Sequence, residues 1–228
     1  MRKASNNTPH SDAVKKIFIV EDHPVFRQGL VQILRRQEGL TVCGQAGDAE
    51  QARSDCVRLK PDLVLVDISL PGKSGLDLIK DLRAESRELK LLVVSMHDEA
   101  LYAERVLRAG GDGYIMKQED PEEIVNAIRD VLGGHIYVSE EVMASKAGAV
   151  RRRRSEDKTR PLDQLTDSEL EVLELLGRGK SGQEIARDLQ VPGATVDADC
   201  AAIQQKLSFR SINELIRYAV CWVETGAA

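Results

Sequence analysis

Five short apolar runs constrain the first part of this chain more than any other feature. They are IFIV (17–20), LTVCGQA (40–46), DLVLVD (62–67), KLLVVS (90–95) and GYIM (113–116). Their shortness and β-branched content predict strands buried on both faces. Amphipathic helical patterns fill the gaps between them. One places Val25, Phe26, Gly29, Leu30, Ile33 and Leu34 on a single face, and the last does the same with Ile124, Ala127, Ile128, Val131 and Leu132. Five strands alternating with five helices imply a parallel, doubly wound α/β sheet, whose active groups gather at the C-terminal ends of the strands.

Polar groups stand at those ends. Glu21 and Asp22 follow the first run, Asp67 ends the third, Ser95 ends the fourth and Lys117 follows the fifth. Three carboxylates brought together repel one another unless a cation joins them, and oxygen ligands at a partly open site suit Mg²⁺. A lysine and a hydroxyl nearby suit an added phosphoryl group. An aspartate that accepts phosphate is one form of carboxylate nucleophile. Each residue alone reads as a strand-end cap or a surface charge. Their recurrence at successive strand ends points to a site.

The segments VEDHPVFRQGL, DLVLVDISLPGKSGLDLI, LLVVSMHDE and GYIMK occur in that order and resemble the receiver domain of two-component response regulators. The resemblance implies a flavodoxin-like fold and a phosphoryl group taken by Asp67 from a phosphohistidine on a sensor histidine kinase. It implies direct Mg²⁺ ligation by Asp22 and Asp67, with Glu21 acting through water and the Ser69 carbonyl completing the site. Lys117 would pair with the phosphoryl oxygens, Ser95 would move toward them, and Tyr114 would change rotamer. Gln118 stands where a proline often follows the lysine, an absence shared by many NarL/FixJ-type regulators.

Charge divides the chain. Residues 1–145 carry net −5, residues 146–160 net +5 and residues 161–228 net −5. The basic stretch holds Arg151, Arg152, Arg153 and Arg154 in a row, the pattern of a tether between two domains. The expected organisation is a disordered leader (1–14), a first domain (15–133), a linker (134–161) and a second domain (162–228). Within the linker, HIYVSEEVMASK is expected to extend or pack beside the end of the first domain. The arginines read as a solvated spacer or as a sequence-independent contact to phosphates. No apolar run approaches a membrane span, and the first residues lack the apolar core of a signal peptide. Cys43, Cys56, Cys200 and Cys221 form no CxxC pair, so a reduced, cytoplasmic chain is the simplest reading.

The second domain reads as four helices. TDSELEVLELLGRG begins with a Thr/Asp cap and turns Leu170, Leu173 and Leu176 to one side. SGQEIARDL places Ile185, Ala186 and Leu189 inward. A turn at Val191-Pro192-Gly193 leads to GATVDADCAAIQQKL, and SINELIRYAVCWV follows with Ile212, Leu215, Ile216, Ala219 and Trp222 on one stripe. Two short helices joined by a turn in an all-helical unit fit a helix-turn-helix. The stretch from LTDSELEVL to KLSFRS resembles the LuxR/NarL-type DNA-binding domain. With the receiver it makes the chain similar to NarL/FixJ-type response regulators, which are transcription factors and not enzymes. The resemblance implies that residues 194–207 enter the major groove. It also implies homodimers on phosphorylation, with Leu215, Ala219 and Trp222 as the last-helix contacts.

The reading helix is unusual. Val196, Cys200, Ile203 and Leu207 form its core stripe at helical spacing, with Cys200 as a small buried residue. Thr195, Ala198, Ala201, Ala202 and Gln205 are left for the DNA face. Asp197 and Asp199 stand where relatives commonly carry lysine, histidine or tyrosine. Pro192 provides no side-chain N-cap. Arg178, Lys180, Arg187, Lys206 and Arg210 remain for phosphates. Two functions stay open: a phosphorylation-controlled transcription factor with modest DNA affinity, or a regulator whose helical domain packs against protein.

Overall fold

The computed structural model of the chain describes residues 13–139, 142–143 and 161–225. The expected leader, apart from its last two residues, and Arg151–Arg154 lie outside the described residues. Strands β1 (Lys15–Val20), β2 (Leu40–Ala46), β3 (Leu63–Val66), β4 (Lys90–Ser95) and β5 (Gly113–Met116) form one parallel sheet in the order β2-β1-β3-β4-β5. Helices α1 (Pro24–Arg35), α2 (Ala49–Leu59), α3 (Gly75–Glu85), α4 (Glu99–Ala109) and α5 (Pro121–Leu132) connect and follow the strands. The sheet is the doubly wound α/β architecture expected from the apolar runs.

Every residue of β3 is buried, as are all but the ends of β1 and β4. That is why their sequences are continuous apolar runs and not alternating ones. Edge strand β2 is only partly buried, so it tolerates Thr41 and Gln45. Its register against β1 shifts between Ile17 and Phe18. Gly44 lies under the Phe18 ring there, where a Cβ would come within 2.6 Å of the ring. In α1 the buried residues are Leu30, Val31 and Leu34; Val25 and Gly29, expected on that face, are exposed. Val25 sits in the first turn of the helix, one residue after its start.

After α5 the chain turns back along β5. Tyr137 accepts from the Tyr114 N–H (2.7 Å) and donates to the Asp112 carbonyl (3.1 Å). The first part of HIYVSEEVMASK thus shields the open edge of β5.

A short 3₁₀ turn (Pro161–Gln164) leads into the helical unit: α6 (Asp167–Gly177), α7 (Gly182–Asp188), α8 (Gly193–Lys206) and α9 (Ile212–Thr225). Capping boxes start α6 (Thr166 with Glu169) and α7 (Ser181 with Glu184). Pro192 precedes α8 without a side-chain cap, as expected. Val196 and Ile203 are buried, whereas Cys200 and Leu207 are only half-buried at the margin of the core. Leu215, Ala219 and Trp222, expected at a dimer surface, are instead buried. Gly177 shows how closely α6 and α9 approach, since a Cβ there would lie 2.4 Å from the Ala219 carbonyl oxygen. The exposed apolar residues of α9 are Ile212, Ile216 and Val223.

Helix α6 is buried on every side from Glu169 to Gly177. Its leucines belong to a buried cluster that continues into the sheet domain, and its acidic side meets that domain. Arg105 of α4 donates to the carbonyls of Leu162 (2.7 Å) and Leu165 (2.9 Å) and to Asp167 (3.0 Å). Lys80 of α3 also reaches Asp167 (3.2 Å). The Gly72 N–H donates to the Leu189 carbonyl (3.2 Å). Among the described residues no helix is long and apolar enough to cross a membrane.

Candidate functional site

The strand order reverses between β1 and β3, so the crevice of the sheet opens where these two strands end. Glu21 and Asp22 leave β1 at this point and Asp67 leaves β3. Glycine is required nearby, because a Cβ on Gly75 would fall 1.9 Å from the Asp67 carbonyl oxygen. The N-terminus of α3 can therefore close against the end of β3 only with hydrogen at that position.

Glu21, Asp22, His23 and Asp67 bring ligand atoms within 4.8 Å of one another. Glu21 and Asp67 are buried. Lys117, from the end of β5, lies 2.6 Å from Glu21 Oε2 and 2.8 Å from Asp67 Oδ2, with its ammonium 4.7 Å from the centre of the Phe26 ring. Burial, then the charge of Asp67, pushes the Glu21 carboxyl up against the opposing pull of Lys117. Burial would depress Lys117, but Asp67 and Glu21 outweigh it and hold the ammonium above its usual range. Asp22 Oδ1 is buried and accepts no hydrogen bond, although His23 Nδ1 lies 2.7 Å away. An unsatisfied carboxylate oxygen among three acids is the donor set of a hard divalent cation.

The expected switch residues stand beside this pocket. Ser95 is fully buried, and its Oγ accepts from the His97 N–H (3.4 Å). Tyr114 is buried and its hydroxyl donates to the His97 carbonyl (2.7 Å). Ser69 follows Asp67 by two residues, and its N–H approaches Asp67 Oδ1 (3.4 Å).

Sequence reasoning missed a buried polar chain that continues from Ser69 into the helical domain. Ser69 Oγ lies 2.7 Å from His97 Nε2, and His97 Nδ1 lies 2.6 Å from Glu174 Oε2. Tyr102 donates to the same oxygen (3.3 Å), and Arg178 holds Glu174 Oε1 (2.5 Å). Glu171 is buried beside this chain, and its Oε1 has no hydrogen-bond partner. Burial pushes the Glu171 carboxyl up to about 7. Burial pushes Glu174 in the same direction, but the hydrogen bond from His97 wins and holds it below the usual carboxylate range. Nothing in the pattern SELEVLELLG marks these acids as buried. Only the covering domain makes them so.

On the helical domain, Thr195, Asp197, Ala198, Ala201 and Gln205 are exposed along α8, and Ala202 is half-buried. Asp199 turns aside and accepts from Ser168 Oγ (2.8 Å). Three of the five cations expected at phosphates are already paired: Arg178 with Glu174, Lys180 with Asp188 (2.5 Å), and Lys206 with Glu169 (2.6 Å). Arg187 donates to the Gln183 carbonyl (3.3 Å), and Arg210 is exposed. Burial pushes the Cys56 thiol up to about 12, and Cys43 and Cys200 are raised for the same reason. None of these three is set up as a thiolate nucleophile.

A parallel sheet with an acidic strand-end pocket, joined to a helix-turn-helix unit, is the architecture of a two-component response regulator. The chain belongs to that family: residues 17–129 match the model of the response regulator receiver domain, and residues 163–219 match that of the bacterial regulatory proteins of the luxR family. It is 36% identical over 209 residues to the oxygen regulatory protein NreC of Staphylococcus aureus strain JH9, covering 90% of this chain and 96% of that one. NreC of Staphylococcus haemolyticus is 35% identical over the same coverage. A LuxR-family two-component response regulator from Aurantimonas sp. SI85-9A1 superposes with a TM-score of 0.55 at 30% identity, over 63% of this chain and 100% of that one. The RcsB response regulator of Salmonella typhimurium superposes with a TM-score of 0.66 at 22% identity, over 92% and 98%. The protein is thus a two-component response regulator that controls transcription, a family of regulators and not of enzymes.

Proposed function

We propose that Asp67 is the phosphoacceptor of this regulator, taking its phosphoryl group from a phosphohistidine of a sensor kinase. The observation that carries the reading is the convergence of Glu21, Asp22 and Asp67 at the crevice, with Lys117 bridging two of them at 2.6 and 2.8 Å. Asp67 attacks phosphorus, the N–P bond to the kinase imidazole breaks, and an acyl phosphate forms. Mg²⁺ fits the unsatisfied oxygen of Asp22; Asp22, Asp67 and the Ser69 carbonyl would hold it, with Glu21 through water. When bound, it neutralises the crowded carboxylates and the transferring phosphoryl group. Lys117 shifts from Asp67 to the phosphoryl oxygens. Ser95 moves toward them, and Tyr114 gives up its bond to the His97 carbonyl. The receiver spans 15–133, the linker 134–161 and the DNA-binding domain 162–228, in a cytoplasmic chain that forms homodimers when phosphorylated.

The DNA-binding domain reads duplex through Thr195, Ala198, Ala201, Ala202 and Gln205, with Arg187 and Arg210 on phosphates. Captured lysines and an Ala-rich face favour weak binding. They also support the second reading, a phosphorylation-regulated domain that packs on protein. Labelled acetyl phosphate with Mg²⁺ tests the first step. Incorporation is expected in the wild type and absent in Asp67→Asn or with a chelator. Label that persists in the Asn variant refutes the assignment.

A further inference from the structure

The helix that follows the acidic turn of β1 begins with a residue that does not cap it. His23 occupies the N-cap position of α1, where Ser, Thr, Asp or Asn would bond a free N–H group, yet its side chain makes no cap bond. Pro24, which has no N–H to satisfy, starts the helix instead. The His23 ring turns back to the carboxylates. Its Nδ1 lies 2.7 Å from Asp22 Oδ1 and 3.2 Å from Glu21 Oε1. Asp22 Oδ1 is buried and still accepts no hydrogen bond, so the shorter of these contacts is not one. Lys117 occupies Oε2 of Glu21 and Oδ2 of Asp67, leaving the other oxygen of each carboxylate to the pocket. One nitrogen and three carboxylates thus converge, with ligand atoms all within 4.8 Å of one another. Two ligands on neighbouring corners of an octahedron, each about 2.1 Å from the ion, stand about 3.0 Å apart. The two His23 contacts bracket that spacing.

We propose that His23 is a nitrogen ligand of this pocket and turns its preference from Mg²⁺ toward transition-metal dications such as Ni²⁺. The proposal rests on the reading of Asp22 and Asp67 as ligands of the divalent cation. Carboxylates, carbonyls and water suit Mg²⁺, whereas an imidazole adds affinity for the later first-row ions and little for Mg²⁺. The placement of His23 suits this task. Its side chain is 69% exposed, so ions meet it from solvent, while Glu21 and Asp67 lie buried behind it. Its N–H donates to Glu21 Oε1 (3.0 Å), which fixes the backbone that carries the ring. Arg27, one turn further along α1, donates to the Glu21 carbonyl and holds the same turn from the helix side. Ring and carboxylates are therefore set against one another by the local backbone, as a ligand set must be before the ion arrives.

Because the ring is exposed and caps nothing, His23→Gln leaves the fold intact. The full-length wild type, His23→Gln and Asp22→Asn are titrated with Mg²⁺ and with Ni²⁺ by equilibrium dialysis at one fixed pH, without a phosphodonor. The site followed is the one that Asp22→Asn removes. In His23→Gln its affinity for Ni²⁺ falls by about tenfold or more, since even the partners behind a metal's ligands are worth that much, while its affinity for Mg²⁺ stays within about twofold. Mn²⁺ serves as the spectroscopic probe. Pulsed electron paramagnetic resonance of Mn²⁺ on the wild type shows the nitrogen modulation of a directly bound imidazole, and His23→Gln loses it. Equal losses for Mg²⁺ and Ni²⁺ in His23→Gln mean that His23 only shapes the turn, and overturn the nitrogen ligand. Unchanged affinities for both ions overturn it too, as does nitrogen modulation that persists in that variant. An Asp22→Asn chain that binds both ions as the wild type does overturns the pocket as the cation site, and with it the reading on which the proposal rests.

Discussion

Lys206 lies 2.8 and 2.6 Å from the two carboxylate oxygens of Glu169, so the only lysine of the reading helix is bound to the first helix of its own domain. Glu169 also accepts from the Thr166 N–H (2.7 Å) as the return arm of a capping box. One carboxylate thus starts α6 and ties up the lysine of α8. Glu169→Gln keeps an acceptor for the cap and releases Lys206. Binding to random duplex is expected to tighten, and the salt slope to steepen by about 0.9 for the one new phosphate contact. Titration at several salt concentrations measures both. An unchanged slope places Lys206 out of reach of the backbone.

The same residue sets a pH dependence. Burial raises the Glu169 carboxyl, but the Lys206 pair and the cap bonds outweigh it and hold it below its usual range. A depressed carboxylate contributes stability above its unfolded value near 4.5, and that contribution is lost as pH falls through the folded value. The stability difference between wild type and Glu169→Gln is therefore expected to be full at neutral pH and to shrink below pH 4.5. Denaturant titrations from pH 7 to pH 3 check this. A difference that grows on acidification contradicts it.

Gly75 gives a prediction within the pocket. Its missing Cβ lets α3 approach to where an added carbon would stand 1.9 Å from the Asp67 carbonyl oxygen. Backbone must move to admit a methyl group. Gly75→Ala is expected to lose about 1–3 kcal/mol of stability, the usual range for overpacking. Because Asp67 moves with that carbonyl, phosphorylation should slow as well. Calorimetry and label uptake report the two effects separately, and a variant as stable as the wild type refutes the close approach.

The pocket was legible because its residues sit at strand ends, and strand ends are marked by the stop of an apolar run. Glu21, Asp22, Asp67, Ser95 and Lys117 fall on one edge of the sheet from the sequence pattern alone. Other features need distances that no local pattern carries. Glu171 and Glu174 share a helix with leucines, and an acidic face opposite an apolar one reads as solvated. They are buried because a second domain covers them. The Lys206–Glu169 pair joins residues 37 apart in sequence. In α9 helical spacing predicts an apolar stripe and the family resemblance implies a partner copy on it, whereas Leu215, Ala219 and Trp222 fill the domain's own core. Apolar periodicity shows that a face is covered and is silent about what covers it.

Burial also governs the cysteines. Cys56 is buried and its thiol is pushed up to about 12 by burial, so almost no thiolate exists at neutral pH. A thiol reagent is expected to leave Cys56 unmodified in the folded chain and to label it on unfolding. Peptide mapping after timed labelling follows this residue by itself. Rapid labelling of Cys56 under native conditions would mean that α2 opens without global unfolding.

Asp197 is exposed on the outward side of α8, whereas Asp199 is turned toward Ser168. The two acids should therefore differ in their effect on DNA. A carboxylate about 7 Å from a phosphate is repelled by about 0.6 kcal/mol at water-like dielectric. Asp197→Lys replaces that repulsion by an attraction of similar size, a change of about 1.2 kcal/mol, or about eightfold in affinity at low salt. Asp197 lies beyond the first turn of α8, so the helix dipole it would complement is already weak there. Asp199→Asn keeps an acceptor for Ser168 and should change affinity less. The measurement is a salt series on random duplex for the wild type and both variants. Effects in proportion to the charge removed, twice as large for Asp197→Lys as for Asp199→Asn, would mean that a general lowering of negative charge, and not the outward face of α8, sets the affinity. No effect of either would exclude this face of α8 from contact with DNA and favour a protein partner for it.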